Sequence, residues 1–191
     1  CGNDNESQPT AAPDGRTALT VKGEIGTKGA SVSRAIDTDW GSNDKIGIFM
    51  VYSGNGVGLT LENICDGADN KCYITPNGNG KFEPSVTPEE PGEVNTNRIY
   101  FPIIGTVDFY AYYPFVTFMY ADKAEGYTKN NPVVSFNFSH QLSKLVLTIT
   151  PGDGLTAADL ENLSVTVGGQ HTTATFNLSD GTLTAGAETT D

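Results

Sequence analysis

The sequence predicts an all-β protein, and three observations favour a Greek-key β-sandwich. Short apolar runs alternate with polar residues at the period of two that a strand with one buried face requires. Glycine and proline, at 22 and 10 of the 191 residues, divide these runs into segments of strand length. Aromatic and β-branched residues, which pack well on a pleated surface, are concentrated within the runs. A chain of this length can form one β-domain with a sizeable core and the start of another.

The predicted strands follow one another along most of the chain. Alternation in residues 17–24 places Leu19 and Val21 on one face, whereas residues 45–52 are almost all apolar and should form a central strand buried on both faces. One helical turn is predicted at 156–162, because Thr156 can cap it and Asp159 stands at the capping-box position. The other predicted strands are 73–75, 98–101, 107–113, 133–138, 142–149, 163–167 and 173–178, with a hairpin signal at 179–181.

Three segments are predicted from this pattern. Residues 1–16 form a polar tether without apolar periodicity, and residues 17–138 form the N-terminal β-sandwich, whose boundary lies between 130 and 150. Residues 139–191 are expected to be the start of a second, incomplete β-sandwich.

The charge of the chain narrows the choice of partners. It carries 11 Lys and Arg against 23 Asp and Glu, a formal net charge of -12. Such a chain repels phosphate backbones, so nucleic acid is not expected as a partner. It is also not attracted to anionic lipid surfaces, so attachment to a membrane would need a covalent lipid.

Cys1 is the candidate for that lipid. It stands at the head of the polar tether, which predicts a lipoprotein whose thiol carries diacylglycerol and whose α-amine carries a further acyl chain. The competing interpretation is an arbitrary start at a cysteine. The expectation is an exported protein on the cell surface, anchored in the outer membrane through Cys1.

Export makes the remaining pair of cysteines interpretable. Cys65 and Cys72 enclose a polar, turn-forming segment, and a disulfide between them would stabilise the fold by about 2 to 3 kcal/mol. A metal site and two free thiols are the alternatives. Zinc would need two further ligands, and Asp66 and Asp69 lack the ligand spacing of a known Ca²⁺ loop. The disulfide is favoured, without a metal.

The sequence offers little for catalysis. Nucleophile-elbow, zinc-protease and phosphate-binding motifs are absent from it, and His140 and His171 are 31 residues apart. The paired acids Glu89 and Glu90 lie between prolines, as expected of a solvated loop. We therefore expect no catalytic residues, no cofactor and no enzyme activity.

An aromatic run at 109–115 allows two interpretations. Alternation places Phe109, Ala111 and Tyr113 on one face and Tyr110 and Tyr112 on the other. Such a strand more often fills a core, but Tyr110 and Tyr112 could also stack on sugar rings. A surface lipoprotein that binds glycan and does not polymerise is therefore the alternative function.

Several ordered blocks of sequence together resemble a known family. They are SRAIDTDWGSNDKIGIFM at 33–50, RIYFPIIGTVDFYAYYPF at 98–115, VVSFNFSHQLSKLVLTITPGDGLTAADLENLSVTVGG at 133–169 and TTATFNLSDGTLT at 172–184. In this order they resemble the fimbrillin-like lipoproteins of Bacteroides-type bacteria, the stalk, anchor and tip proteins of the type V pilus. Asp4 and Glu6 also resemble the acidic export signal of such lipoproteins.

The resemblance implies a fold and an assembly mechanism. The fold would be two transthyretin-like β-sandwiches, and subunits would join by donor-strand insertion. A trypsin-like protease would cut after Arg34, with Arg16 and Lys28 as rival sites, and would release the strand 17–24. A strand of a neighbouring subunit would then fill the vacated groove. These implications make the chain a structural or adhesive pilus subunit, whose surface ligand the sequence does not identify.

Overall fold

The computed structural model describes residues 14–26, 39–54, 58–85, 96–113, 118–142 and 147–190. Almost all of its regular structure is β. Seven strands belong to one sheet, two form a separate hairpin, and short 3-10 turns occupy Leu61–Asn63 and Ala157–Leu160. The strands are β1 Thr20–Ile25, β2 Asp44–Tyr52, β3 Lys71–Thr75, β4 Lys81–Pro84, β5 Val107–Tyr113, β6 Met119–Tyr127, β7 Val133–His140, β8 Ala174–Asn177 and β9 Thr182–Ala185.

The large sheet closes on itself as a barrel. Its strand order is β1-β4-β3-β2-β5-β6-β7, and β1 completes the ring by pairing with β7. The β1–β7 pair is parallel and runs in continuous register from Thr20 opposite Val133 to Ile25 opposite Phe138. On its other side β1 pairs antiparallel with β4, at Val21 opposite Phe82 and Lys22 opposite Lys81. The first strand among the described residues is thus the one that closes the barrel.

The Greek-key, transthyretin-like β-sandwich predicted from the sequence is therefore wrong, although the all-β class is right. Alternation shows which side chains of a strand face a core, but a sandwich and a barrel give the same alternation. The two differ in whether the outer strands of the sheet stay open or pair. Here β1 pairs on both sides, so one continuous sheet surrounds the core.

The core lies inside the barrel and is strongly aromatic. Alternate residues of each strand point inward, as Leu19 and Val21 do at β1 and Val134, Phe136 and Phe138 do on β7. Strand β5 also follows this rule, with Phe109 and Ala111 in the core. Inward alternation at β1 was predicted from the sequence, and the structure confirms it. The largest fully buried side chains include Tyr73, Tyr110, Phe101, Phe109 and Phe138.

Residues 147–190 differ from the barrel because nearly all of their side chains are exposed. Their β8–β9 hairpin contacts the outside of the barrel through Phe176, whose ring centroid lies 4.7 Å from that of Phe118 and 5.1 Å from that of Tyr120. The Ser179 hydroxyl accepts a 3.0 Å hydrogen bond from the Leu59 amide. Large apolar side chains remain exposed on this part of the chain, at Leu147, Ile149, Leu155, Leu163, Val165, Val167 and Leu183.

Several predicted elements differ from the observed ones. Residues 98–101 and 163–167 are not strands, and the predicted strand at 142–149 is not formed at 147–149. Strands β4, β6 and β9 were not predicted as such, although the signal at 179–181 marks the β8–β9 hairpin. The predicted helical turn is a 3-10 turn, and the capping box between Thr156 and Asp159 is formed. Within the described residues, the structure contains no helix that is both long and apolar enough to cross a bilayer.

The inward face of β1 can be tested by substitution. Val21 is 1% exposed, so Val21→Ala should lower the free energy of unfolding by about 2 kcal/mol, through lost burial and the cavity left behind. Lys22→Ala, on the exposed face of the same strand, should change it by less than about 0.5 kcal/mol. Urea unfolding measures both values. Equal effects of the two substitutions would contradict the assigned faces of β1.

Candidate functional site: the strand that closes the barrel

Strand β1 is held by backbone hydrogen bonds on both sides. Along β7 its ladder extends at both ends: the Thr20 amide donates to the Pro132 carbonyl at 2.9 Å, and the Gly26 amide donates to the Phe138 carbonyl at 2.8 Å. The segment just before β1 is fixed as well, because the Leu19 amide donates to the Ile99 carbonyl at 2.9 Å. Removal of this strand would leave donors and acceptors of β7 and β4 without partners.

Strand β1 forms two seams, its pairing with β7 and its pairing with β4, and these differ in length. Its pairing with β7 covers six residue pairs, whereas its pairing with β4 covers two. One of those two places Lys22 directly opposite Lys81. Like charges in directly opposite positions destabilise an antiparallel pair. The β1–β4 seam is therefore the weaker side of the barrel.

Trp40 strengthens that weak side. Its indole Nε1 donates a 2.8 Å hydrogen bond to the carbonyl of Gly23 on β1. Its ring packs edge-to-face against three core rings, with centroid distances of 5.0 Å to Phe82, 5.2 Å to Phe138 and 5.6 Å to Tyr113. The side chain thus joins β1 to β4, β7 and β5. Trp40 is the one tryptophan of the chain, but it lies in no motif that marks it as a site residue.

Arg16, a rival cleavage site, is tightly held. Its guanidinium lies 2.6 Å from the Asp14 carboxylate and 3.5 Å from that of Asp66, and its Cζ is 5.3 Å from the centroid of the Tyr100 ring. The hydrogen bond from the Arg16 amide is the largest of several effects that lower the pKa of Asp14. Arg16 also helps to line a shallow depression of about 200 Å³, together with Lys71, Arg98 and Tyr100. The other cleavage candidates, Lys28 and Arg34, and the lipidation candidate Cys1 lie outside the described residues.

The Cys65–Cys72 disulfide predicted from the sequence is not formed, and both cysteines are free thiols. The Cys65 amide donates to the carbonyl of Met50, whereas Cys72 stands opposite Gly47 in the β2–β3 ladder. Those two β2 residues are three positions apart, which corresponds to about 10 Å along a strand. A disulfide needs Cα atoms within about 7 Å of each other. The different positions of the two cysteines along β2 therefore keep them apart.

The two thiols have different surroundings. Cys65 is buried and Cys72 is half-buried. Burial is the main reason why the pKa of the Cys65 thiol is raised, so this thiol stays protonated and is a poor nucleophile at neutral pH. A hydrogen bond to Cys65 is the main cause that raises the pKa of Tyr52 to about 12.

The aromatic residues proposed as a sugar platform are not both accessible. Tyr110 is 2% exposed. Tyr112 is half-buried, with its ring stacked against Phe49 at 6.2 Å and its hydroxyl donating to the Asn70 side chain at 3.1 Å. Because Tyr110 cannot offer a free face, the expected pair of stacking rings is not available.

The remaining candidates for chemistry lie in separate places. His140 ends β7 opposite Met119, and the exposed His171 pairs with Thr189. Glu89 and Glu90 lie outside the described residues. Among the residues that the structure describes, three or more His, Cys, Asp or Glu side chains are nowhere grouped so that they could hold a metal ion.

Comparison with known proteins identifies related chains. The sequence model of the family described as "Fimbrillin-like" matches residues 33–117 and 116–191. A curated protein of Bacteroides uniformis named "Putative fimbrium subunit Fim1C" is 33% identical over 215 residues, which cover 97% of this chain and 63% of that protein. The present chain thus spans less than two thirds of that relative's length.

A solved structure is also similar to this chain. The crystal structure of "a putative cell adhesion protein" from Bacteroides uniformis superposes with a TM-score of 0.64 at 29% sequence identity. The match covers 94% of this chain and 69% of that one. The similarity therefore extends across both the barrel and residues 147–190.

The state of the two thiols can be tested by alkylation in a Cys1→Ala background, which leaves only this pair. Brief iodoacetamide treatment of the folded protein should label Cys72 at least about tenfold faster than Cys65, because Cys65 is buried and protonated. Peptide mass spectrometry gives the two rates, and labelling in denaturant controls for intrinsic reactivity. A pair that resists alkylation in denaturant until it is reduced would reveal a disulfide.

Proposed function

The chain belongs to the fimbrillin-like family, and we propose that it is a structural or adhesive subunit of a cell-surface pilus that assembles by strand exchange at β1. The observation that carries the proposal is the closure of the barrel by its first strand, which pairs with β7 on one side and β4 on the other. The relatives named as a fimbrium subunit and a cell adhesion protein support the pilus-related role. This is a non-enzymatic role.

Loss of β1 would create a receptor groove. Backbone groups of β4 and β7 would lose their partners, and the buried positions of Leu19 and Val21 would become apolar sockets between those strands. An extended segment from another subunit can satisfy both the backbone groups and the sockets, which is β-augmentation. The groove would thus bind the same kind of element that it released.

The position of the cut decides whether β1 can leave. Arg16 precedes β1, so cleavage there would remove only the preceding residues and keep the closing strand in place. Lys28 and Arg34 follow β1, and a cut after either one separates the strand from the rest of the barrel. The ion pairs of Arg16 also make it a poor protease site. We propose Arg34 as the cleavage site, with Lys28 as its rival.

An uncut subunit should resist exchange for a simple reason. While β1 belongs to the same chain, its effective concentration at the groove exceeds that of a free strand. A cut after Arg34 removes this advantage, because β1 then belongs to a separate chain. Proteolysis would therefore act as the trigger for assembly.

The proposed domain organisation follows the same division. Residues 17–138 would form the unit that exchanges strands and residues 139–191 the start of a second, with the boundary between 130 and 150. Because β7 ends at His140, the first unit would extend at least that far. The exposed apolar side chains between Leu147 and Leu183 support this division, because they do not contribute to the barrel core.

Limited trypsin digestion tests the exchange mechanism. The folded protein should be cut after Arg34 or Lys28, and the cut protein should then bind a fluorescent peptide with the sequence of residues 17–26, as measured by anisotropy. Uncut protein should bind the same peptide at least about tenfold more weakly, because its own strand competes. Lys28→Gln with Arg34→Gln should abolish both cleavage and binding, whereas Arg16→Gln should change neither. A cut protein that binds no peptide would contradict strand exchange.

Attachment through Cys1 is a separate part of the proposal. Lipid on this residue would place the subunit on the outer membrane, and a cut after Arg34 would release it together with β1. An intact, acylated Cys1 in fibres would therefore indicate an anchor or tip, whereas an N-terminus at Ala35 would indicate a stalk subunit.

The lipid can be tested in cells that export the protein. Cys1→Ala should move the protein from the membrane fraction to the soluble fraction, since the acidic chain has no basic patch at its N-terminus to retain it. Immunoblots of the two fractions measure the change, and Cys72→Ala serves as the control that should stay in the membrane. Full membrane retention of the Cys1→Ala protein would contradict the anchor.

A further inference from the structure

Gly23 of β1 is closely packed on its β4 edge and on its inner face. Its amide donates a 2.8 Å hydrogen bond to the Gly80 carbonyl, and its own carbonyl accepts the hydrogen bond from Trp40 Nε1 at 2.8 Å. Its Cα lies over the interior, where Phe82 of β4 and Phe138 of β7 face each other across the strand. Both hydrogen bonds of Gly23 therefore lie on the β4 edge of the strand, and its inner face lies against two rings.

A side chain has no space at this position. A Cβ atom on Gly23 would lie 2.9 Å from Phe82 Cε2 and 3.2 Å from Phe138 Cε2. Both distances are shorter than ordinary carbon–carbon contacts of about 3.5–4.0 Å. Gly23 is not among the glycines with a positive φ, so its backbone conformation does not require glycine. The requirement is steric.

The neighbouring rings cannot easily move away. Trp40 packs edge-to-face against both Phe82 and Phe138, at interplanar angles of 87° and 88°. These two phenylalanines are 6% and 0% exposed. A shift of either ring would disturb the Trp40 contacts as well. Gly80 also lies so close to β1 that a side chain there is excluded, because its Cβ would collide with the Gly23 carbonyl oxygen.

We propose that the groove between β4 and β7 selects glycine at the register of Gly23. This inference rests on the proposed strand exchange for its partner: an extended segment of a neighbouring subunit with apolar residues at the registers of Leu19 and Val21 and glycine two positions further on. Backbone hydrogen bonds accept almost any sequence in this groove. The Phe82–Phe138–Trp40 cluster is what distinguishes one incoming strand from another.

The intact chain provides a test that does not depend on exchange. Gly23→Ala should lower the folding equilibrium constant by roughly tenfold or more, because overpacking between locked rings is unfavourable. At a position with space, the same substitution in extended backbone would instead stabilise the fold. Lys22→Ala on the opposite face is the matched control. In a Phe82→Leu background the effect of Gly23→Ala should be clearly smaller, which a double-mutant cycle measures. A Gly23→Ala protein as stable as the parent overturns the proposal.

The exchange test uses the cut full-length chain and three fluorescent peptides of residues 17–26. The peptide with alanine at position 23 should bind roughly tenfold or more weakly than the native peptide, and a peptide with alanine at position 22 should bind like the native one. Equal binding of the alanine-23 peptide overturns the selectivity. If no peptide binds while Gly23→Ala still destabilises the intact chain, strand exchange is wrong and the glycine requirement stands for the chain's own strand.

Discussion

The barrel depends on the pairing of β1 with two strands at once. A sheet whose outer strands stay open presents rows of unpaired amides and carbonyls, which are templates for another chain. Here one six-residue strand covers both open sides, β4 and β7, and inserts apolar side chains between them. The aromatic core behind it, including Phe136 and Phe138 of β7, is protected from water as long as that strand remains. The contacts that close the barrel are therefore also the contacts that keep water out of its core.

That contact is stronger on one side than on the other. The parallel ladder to β7 is continuous, whereas the seam to β4 is short and contains the opposed lysines Lys22 and Lys81. Trp40 compensates by joining Gly23 to the ring of Phe82 across the weak seam. A strand bound in this way would separate from β4 first, and the indole hydrogen bond is the part of the seam that depends on a single side chain.

The sequence predicted the elements whose local pattern is strong. Strands β2 and β5 are continuous apolar runs, and both were placed within one residue of their observed bounds. Strand β4 was missed because Phe82 is its one large apolar residue, even though Asn-Gly repeats precede it. Strand β6 was missed because its second half is largely exposed and contains mostly polar residues, without the apolar alternation of a strand. Closure itself could not be predicted, since alternation reports the buried face of a strand but not the identity of its neighbours.

Long-range packing is the property that local sequence reports least well, and it explains the two site predictions that changed. Cys65 and Cys72 are close in sequence, yet they lie beside residues of β2 that are three positions apart. Tyr110 and Tyr112 share a face, yet the fold buries the former and leaves the latter half-exposed. In both cases the pattern identified the residues correctly, and long-range pairing decided what they could do.

Exchange of the closing strand, as proposed here, would raise a problem of specificity. Hydrogen bonds of the main chain hold any extended segment, so they cannot distinguish a proper partner from an unrelated strand. Apolar sockets at alternate positions add some selectivity, but many β-strands carry that pattern. Rejection of side chains at one fixed register is a sharper criterion, because a strand displaced by one residue would bring a side chain against Phe82 and Phe138. In the proposed exchange, a glycine held by hydrogen bonds on its β4 edge and by two rings on its inner face would determine both which strand fits and in which register it binds.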